Sequence, residues 1–329
     1  MIKKNTENIS RRAFLAGAAA FTTVSVLPRN LTGVSCGYTV PDSRFNGVQI
    51  GVIAPFSFRG LPGSAEDILG YLLKLGMNSV ELQNAPFEQY AGAPSSPPLS
   101  FQRGTQLTPE QQAEMQAVRT QYAEDLRKWR LSSSHMSKFA ELRRKFNEEG
   151  VEIRLVKFDT FDGTTPQEEM DYCFGAAKEL GARAMTTGLT AEKAKILGPF
   201  ADKHQFWVGL HNQNHIDPVE LDPLLAYGKY LGLNFDLGHH VAGSAIPLTD
   251  IIEKYLDRMV SLHLTDRTKD NRSVPFGQGD TPLQEILQLC ASRKYDFGAD
   301  IDLEYQIPEG SDALTEVGRC VQFCREALL

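Results

Sequence analysis

The sequence predicts an α/β fold, a (β/α)8 barrel. Three observations carry this. From about residue 47 onward, eight short β-rich runs alternate with longer helical runs. Most of those runs are continuously apolar instead of alternating, as parallel strands covered on both faces are. The alternating stretch also has the length of such a barrel, roughly 250 residues plus insertions. An open doubly wound sheet would want a Gly-rich phosphate turn after its first strand, and Ile53–Gly63, "IAPFSFRGLPG", is not a GxGxxG.

In order, the strand-like runs are Val48–Pro55, Ser79–Gln83, Glu152–Asp159, Ala184–Thr187, Trp207–His211, Leu233–Leu237, Val260–Leu264 and Ala299–Glu304. Helix starts fall between them. Ser64, Thr165 and Thr190 each offer a hydroxyl cap ahead of first-turn acids, and Thr108-Pro109 and Thr281-Pro282 set proline at the first helical position. Gly76, Gly150, Gly181 and Gly232 read as points where a helix stops and a strand begins. One long insertion, about residues 84–134, follows the second strand. It opens with a Pro/Ser/Gly-rich loop and continues as a polar helix over Pro109–Trp129. In a barrel it lies on the C-terminal face, where it is expected to form a lid.

The N-terminus is read as separate from the barrel, which occupies residues 46–329. Residues 1–35 carry a basic, polar start, the run Ser10-Arg11-Arg12-Ala13-Phe14-Leu15, and a short small-residue apolar stretch. This resembles a cleaved twin-arginine export signal more than a membrane span, and implies a periplasmic protein exported already folded. Cys36 is a weaker alternative, as a lipid-attachment site. The other cysteines, Cys173, Cys290, Cys320 and Cys324, sit in apolar helical runs and read as core, without a disulfide framework. The chain of 329 residues is 42% hydrophobic with net charge −7. That acidity, with no basic cluster, argues against a nucleic-acid partner.

Chemistry concentrates at the later strand ends. Of seven histidines, five fall between 211 and 263. The fifth strand ends in "VGLHNQNH", the sixth in "NFDLGHH", the seventh in "SLHLTDR" and the eighth in "DIDLEY". The C-terminal ends of barrel strands converge on one axis, where barrel enzymes keep their catalytic groups. Two imidazoles and two carboxylates there suit one divalent ion such as Mn²⁺, Zn²⁺ or Co²⁺. With open positions for a substrate's hydroxyl and carbonyl oxygens, such an ion would stabilise an enediolate formed by proton abstraction. Lys157 at the end of the third strand is either a catalytic base or a solvated lysine. Glu81 in "SVELQ" is either a paired structural acid or a substrate contact.

These segments resemble the xylose-isomerase-like TIM-barrel family, the sugar phosphate isomerase/epimerase group. They are most similar to an exported branch associated with 3-keto-glycoside metabolism. The motifs are Val80-Glu81, Asp236-Leu-Gly-His239, His263-Leu-Thr-Asp266-Arg267, Pro275–Asp280 and Asp302-Leu-Glu304-Tyr305. The resemblance implies one metal ligand on each of the last four strands: His211 where the family usually has glutamate, Asp236, His263, and Asp302 with Glu304 as its rival. The remaining one of that last pair would act as a base or support the ligands. His239 would contact substrate or orient the metal ligands, and His240 would be exposed. His215 and Arg267 are either substrate-binding or rim residues. The implied activity is isomerase or epimerase, or a lyase/hydratase sharing the same proton abstraction, on a small carbohydrate. Phosphodiesterase chemistry and a non-catalytic sugar-binding barrel are the competing readings.

Overall fold

In the computed structural model, which describes residues 40–97, 108–132, 135–159 and 161–329, a parallel barrel closes on itself. A two-residue strand β1 (Arg44–Phe45) pairs antiparallel with β2 (Val48–Ala54). There follow β3 (Ser79–Gln83), β4 (Glu152–Lys157), β5 (Ala184–Gly188), β6 (Trp207–His211), β7 (Leu231–Asp236), β8 (Met259–Leu264) and β9 (Gly298–Ile301). Each of β2–β9 pairs parallel with the next, and β2 pairs with β9 to close the ring. The helices are α1 (Ala65–Leu75), α2 (Asn84–Tyr90), α3 (Pro109–Arg130), α4 (Met136–Glu148), α5 (Gln167–Glu179), α6 (Ala191–His204), α7 (Pro218–Leu225), α8 (Leu237–Val241), α9 (Leu248–Lys254), α10 (Leu283–Arg293) and α11 (Ala313–Leu328). Among the described residues no helix is long and apolar enough to cross a membrane. The twin-arginine motif and Cys36 lie outside the described residues.

The hydrophobic core lies between the strands and the helices. Outward-facing Val80, Leu82, Val156, Phe235 and Leu262 pack against helix residues such as Leu72, Phe146, Phe174, Ile252 and Val317. Inside the barrel the buried residues are largely polar: Glu81, Thr186, Asn234, Ser261, His263 and Asp300. Glycine makes the room for them. A Cβ on Gly51 would come within 2.0 Å of Asp300 Oδ1.

Local signals meet mixed outcomes. Ser64, Thr108 and Thr190 cap α1, α3 and α6 through their hydroxyls. Gly76 ends α1 in the left-handed conformation at φ 66°. Thr165, however, bonds Asp162 in a turn, and Pro166 takes the cap position of α5. Pro282 likewise sits at the cap of α10 instead of its first turn. Gly232 is no helix stop; it lies inside β7, where a Cβ would stand 2.2 Å from the carbonyl oxygen of Arg258. Close backbone approach, not a turn, accounts for that glycine. The expected lid helix α3 is held by Arg130, which is buried between Glu88 of α2 (2.8 Å) and Glu169 of α5 (2.7 Å). Its anchor is therefore on the outer helices. Cys173, Cys290, Cys320 and Cys324 are buried free thiols.

Candidate functional site

At the C-terminal mouth, β6, β7, β8 and the residue just past β9 deliver His211, Asp236, His263 and Asp302. One ligand atom from each lies within 4.8 Å of all the others, and all four residues are buried. Opposed donors around an ion at about 2.1 Å would stand at most about 4.2 Å apart. Opposed donors of the cluster therefore need to approach by at most about 0.6 Å to share one.

Each side chain is oriented by a neighbour beneath it. Asn234 donates to Ser261 and, at 3.3 Å, to Glu81, which turns its carbonyl oxygen to His211 Nδ1 at 3.0 Å. His211 Nδ1 then carries the proton and Nε2 keeps its lone pair for the cluster. Glu81 accepts from His263 Nε2 at 2.7 Å, which frees His263 Nδ1 to face Asp302 Oδ2 at 3.1 Å. Asp236 Oδ1 accepts from the His239 backbone N–H at 2.7 Å and the Thr265 hydroxyl at 2.6 Å. The other oxygens, Asp236 Oδ2 and Asp302 Oδ1, are buried with no hydrogen-bond partner. Buried carboxylate oxygens without partners are costly, and here both belong to the cluster.

The electrostatics follow. Burial, aided by His263 and Lys157, holds His211 well below its ordinary value, so it is a neutral imidazole. Burial disfavours the imidazolium of His263 as well, but Glu81 and Asp302 outweigh it and raise it well above. Burial pushes the Asp236 carboxyl up to about 6.

Beside the cluster, Glu304 accepts from Arg267 and from His239 Nε2 at 3.2 Å. Both partners hold it low against the effect of burial. Glu304 thus sits in an ion-paired rim group, and the cluster takes Asp302. Lys157 ends β4 half-buried, with no hydrogen bond or ion pair among the described residues.

One expectation changes, that of His240, and the alternatives for Glu81 narrow. Glu81 is not positioned to touch substrate: it is fully buried under His263 and engaged by His263, Thr186 and Asn234. His240 is not exposed; it is buried, accepts from the Ile216 N–H through Nδ1 and meets the Ile246 carbonyl through Nε2. His215 sits on an exposed loop. The segment "PFGQGD" wraps Asp266, whose carboxylate accepts the backbone N–H groups of Gly277, Gln278 and Gly279. Asn234, Asn212 and Thr265 are site residues that sequence reading missed. Asn212 both accepts from the Asp236 N–H and donates to its carbonyl. The signal for Asn234 was available: it stands two before Asp236, on the same strand face.

No protein-family profile matches the sequence, and no curated protein matches it. Solved structures do share its fold. A xylose isomerase domain protein from Alicyclobacillus acidocaldarius is 12% identical over 85% of this chain and 99% of its own, with TM-score 0.57. A sugar phosphate isomerase/epimerase from Parabacteroides distasonis is 14% identical over 86% and 96%, with TM-score 0.54. A protein from Bacillus anthracis described as the probable 3-DHS dehydratase AsbF is 14% identical over 84% and 98%, also at 0.54. At these identities the likeness is one of fold: the chain is an α/β barrel of the architecture found in xylose-isomerase-like proteins.

Proposed function

We propose that the protein is a divalent-metal-dependent enzyme that removes a proton α to a sugar carbonyl, as sugar isomerases and epimerases do. The observation that carries this reading is the convergence of two unpartnered carboxylate oxygens with two oriented imidazoles at the barrel mouth. That donor set fits Mn²⁺, Zn²⁺ or Co²⁺, held by His211, Asp236, His263 and Asp302. A bound ion supplies Lewis-acid stabilisation of the charge that develops on a carbonyl oxygen.

The rest falls to side chains. Lys157 ends β4 at the mouth with no hydrogen bond or ion pair among the described residues and is assigned the base. Glu304 is a poorer base because Arg267 and His239 hold its charge. His239 is raised by Glu304 and Asp236 against the opposing effect of burial, so it keeps a proton closer to neutrality for transfer to a substrate oxygen. Arg267, and His215 from the loop, are assigned to substrate hydroxyls. The Ser10–Leu15 motif supports an exported enzyme and so a periplasmic sugar.

His239 also favours a second reading. A protonated imidazole beside the cluster can serve a leaving group, which suits β-elimination from, or hydration of, a 3-keto-glycoside. Incubation with glucosides and their 3-keto derivatives in D₂O, with each metal, tests both. Deuterium appearing α to the carbonyl supports the proposal, and its absence with every substrate rejects it for those sugars. An eliminated aglycone distinguishes the second reading from the first.

A further inference from the structure

The opposite end of the barrel carries a cavity of about 390 Å³. That lies within the roughly 300–1,000 Å³ usual for small-ligand pockets. Its walls come from the first half of β4, the starts of β5, β6 and β8 and the turn before β9, so it belongs to the N-terminal face. Trp207 in its wall begins β6 and His211 ends it. Four residues of strand put them about 13 Å apart, so the cavity is separate from the metal cluster.

Two kinds of group meet there. Trp207, Phe297 and Leu256 form an apolar side, and Arg154, Arg183 and Lys294 bring positive charge. Arg183 is paired with Glu152 at 3.0 Å, and the cavity's own acid, Asp296, is exposed. Lys294 is exposed and makes no ion pair among the described residues. Arg154 is the decisive residue. It is 3% exposed, yet it makes no ion pair within 4 Å among the described residues; Asp300 and Glu152 attract it only at longer range. Its Nη2 donates to the Asp296 carbonyl at 3.1 Å, while its Nε is buried without a partner. A buried guanidinium with an unmet donor and no counter-ion in contact is unfavourable, and burial outweighs the longer-range attraction of Asp300 and Glu152. An anion in the cavity would supply both what the charge lacks and what the donor lacks.

We propose that this cavity binds a small amphipathic anion, a carboxylate or phosphate group held at Arg154 with an aromatic or aliphatic body against Trp207, Phe297 and Leu256. The proposal is independent of the sugar chemistry at the other end.

The chain has two tryptophans, so Trp129→Phe leaves Trp207 as the only reporter. Titration of that variant with phenyl phosphate and with phenylacetate is expected to give a saturable fluorescence change. Inorganic phosphate and benzyl alcohol, the two halves of the ligand, should bind at least tenfold more weakly. The stronger of the two aromatic anions identifies the preferred head group. Arg154→Gln should weaken binding at least tenfold. Leu256 is 39% exposed, so Leu256→Glu sets a negative charge at the cavity with little risk to folding and should do the same. The proposal is overturned if neither anion saturates at millimolar concentration, if Leu256→Glu binds as tightly as the parent, or if benzyl alcohol matches the anions.

Discussion

Asp236 divides its carboxylate between two tasks. Oδ1 is tied to the fold by the His239 N–H and the Thr265 hydroxyl, and Oδ2 is left bare. Without an ion its folded value of about 6 lies above its ordinary 3.8, a difference that corresponds to about 3 kcal/mol. For a group raised on folding, the associated stability is present below the ordinary value and lost as pH rises through the folded one. Asp236→Asn should therefore raise the melting temperature of the metal-free protein at pH 8, lose that advantage near pH 4, and abolish metal binding; calorimetry at both pH values with metal analysis checks it. Metal affinity itself should climb with pH. Binding must displace a proton from His263 Nδ1, and from Asp236 below about pH 6. Titration calorimetry in two buffers of different ionisation heat should show protons released. Glu81→Gln should cost roughly 10–100-fold in metal affinity, because it loosens the tautomer of His263; unchanged affinity would refute the orienting role. His211, Asp236 and His263 stand where apolar runs end and so drew notice in the sequence, while Asp302 was set ahead of its rival Glu304 only by the resemblance. Asn234 could have been read from its strand face, but Asn212, Thr265 and the partners of Glu81 could not, since those roles arise from cross-strand neighbours that no local pattern reveals.

At the scale of elements, apolar runs marked all eight barrel strands to within two or three residues at either end. β1 escaped because two residues carry no periodicity. Gly232 was misread because a strand glycine required by the Arg258 carbonyl looks, in sequence, like one required by a turn. Gly232→Ala should cost about 1–3 kcal/mol by overpacking, measured by urea denaturation. The insertion helix α3 was foreseen, but its fastening was not. Arg130 bridges carboxylates far from it in sequence, with Tyr172 joining the network at Glu88. Removing a buried partner strands the others, so Arg130→Ala should lose about 3–5 kcal/mol and make α3 the first segment cut in limited proteolysis. Loss of stability without early cleavage there would place the clasp elsewhere.

For the molecule as a whole, four neighbouring strand ends share the cluster, so an ion there would couple them into one unit. At a thousand times its dissociation constant, it should add about 4 kcal/mol to global unfolding. The gain should vanish in His263→Ala, and thermal denaturation with each metal measures it. The separation of layers described above has a consequence for descent. The packing that makes the chain fold lies outside the strands, and the polar groups of the candidate site lie inside them and at their mouths. A lineage can therefore exchange one set while inheriting the other nearly intact. Solved barrels at 12–14% identity share this fold over 96–99% of their own length.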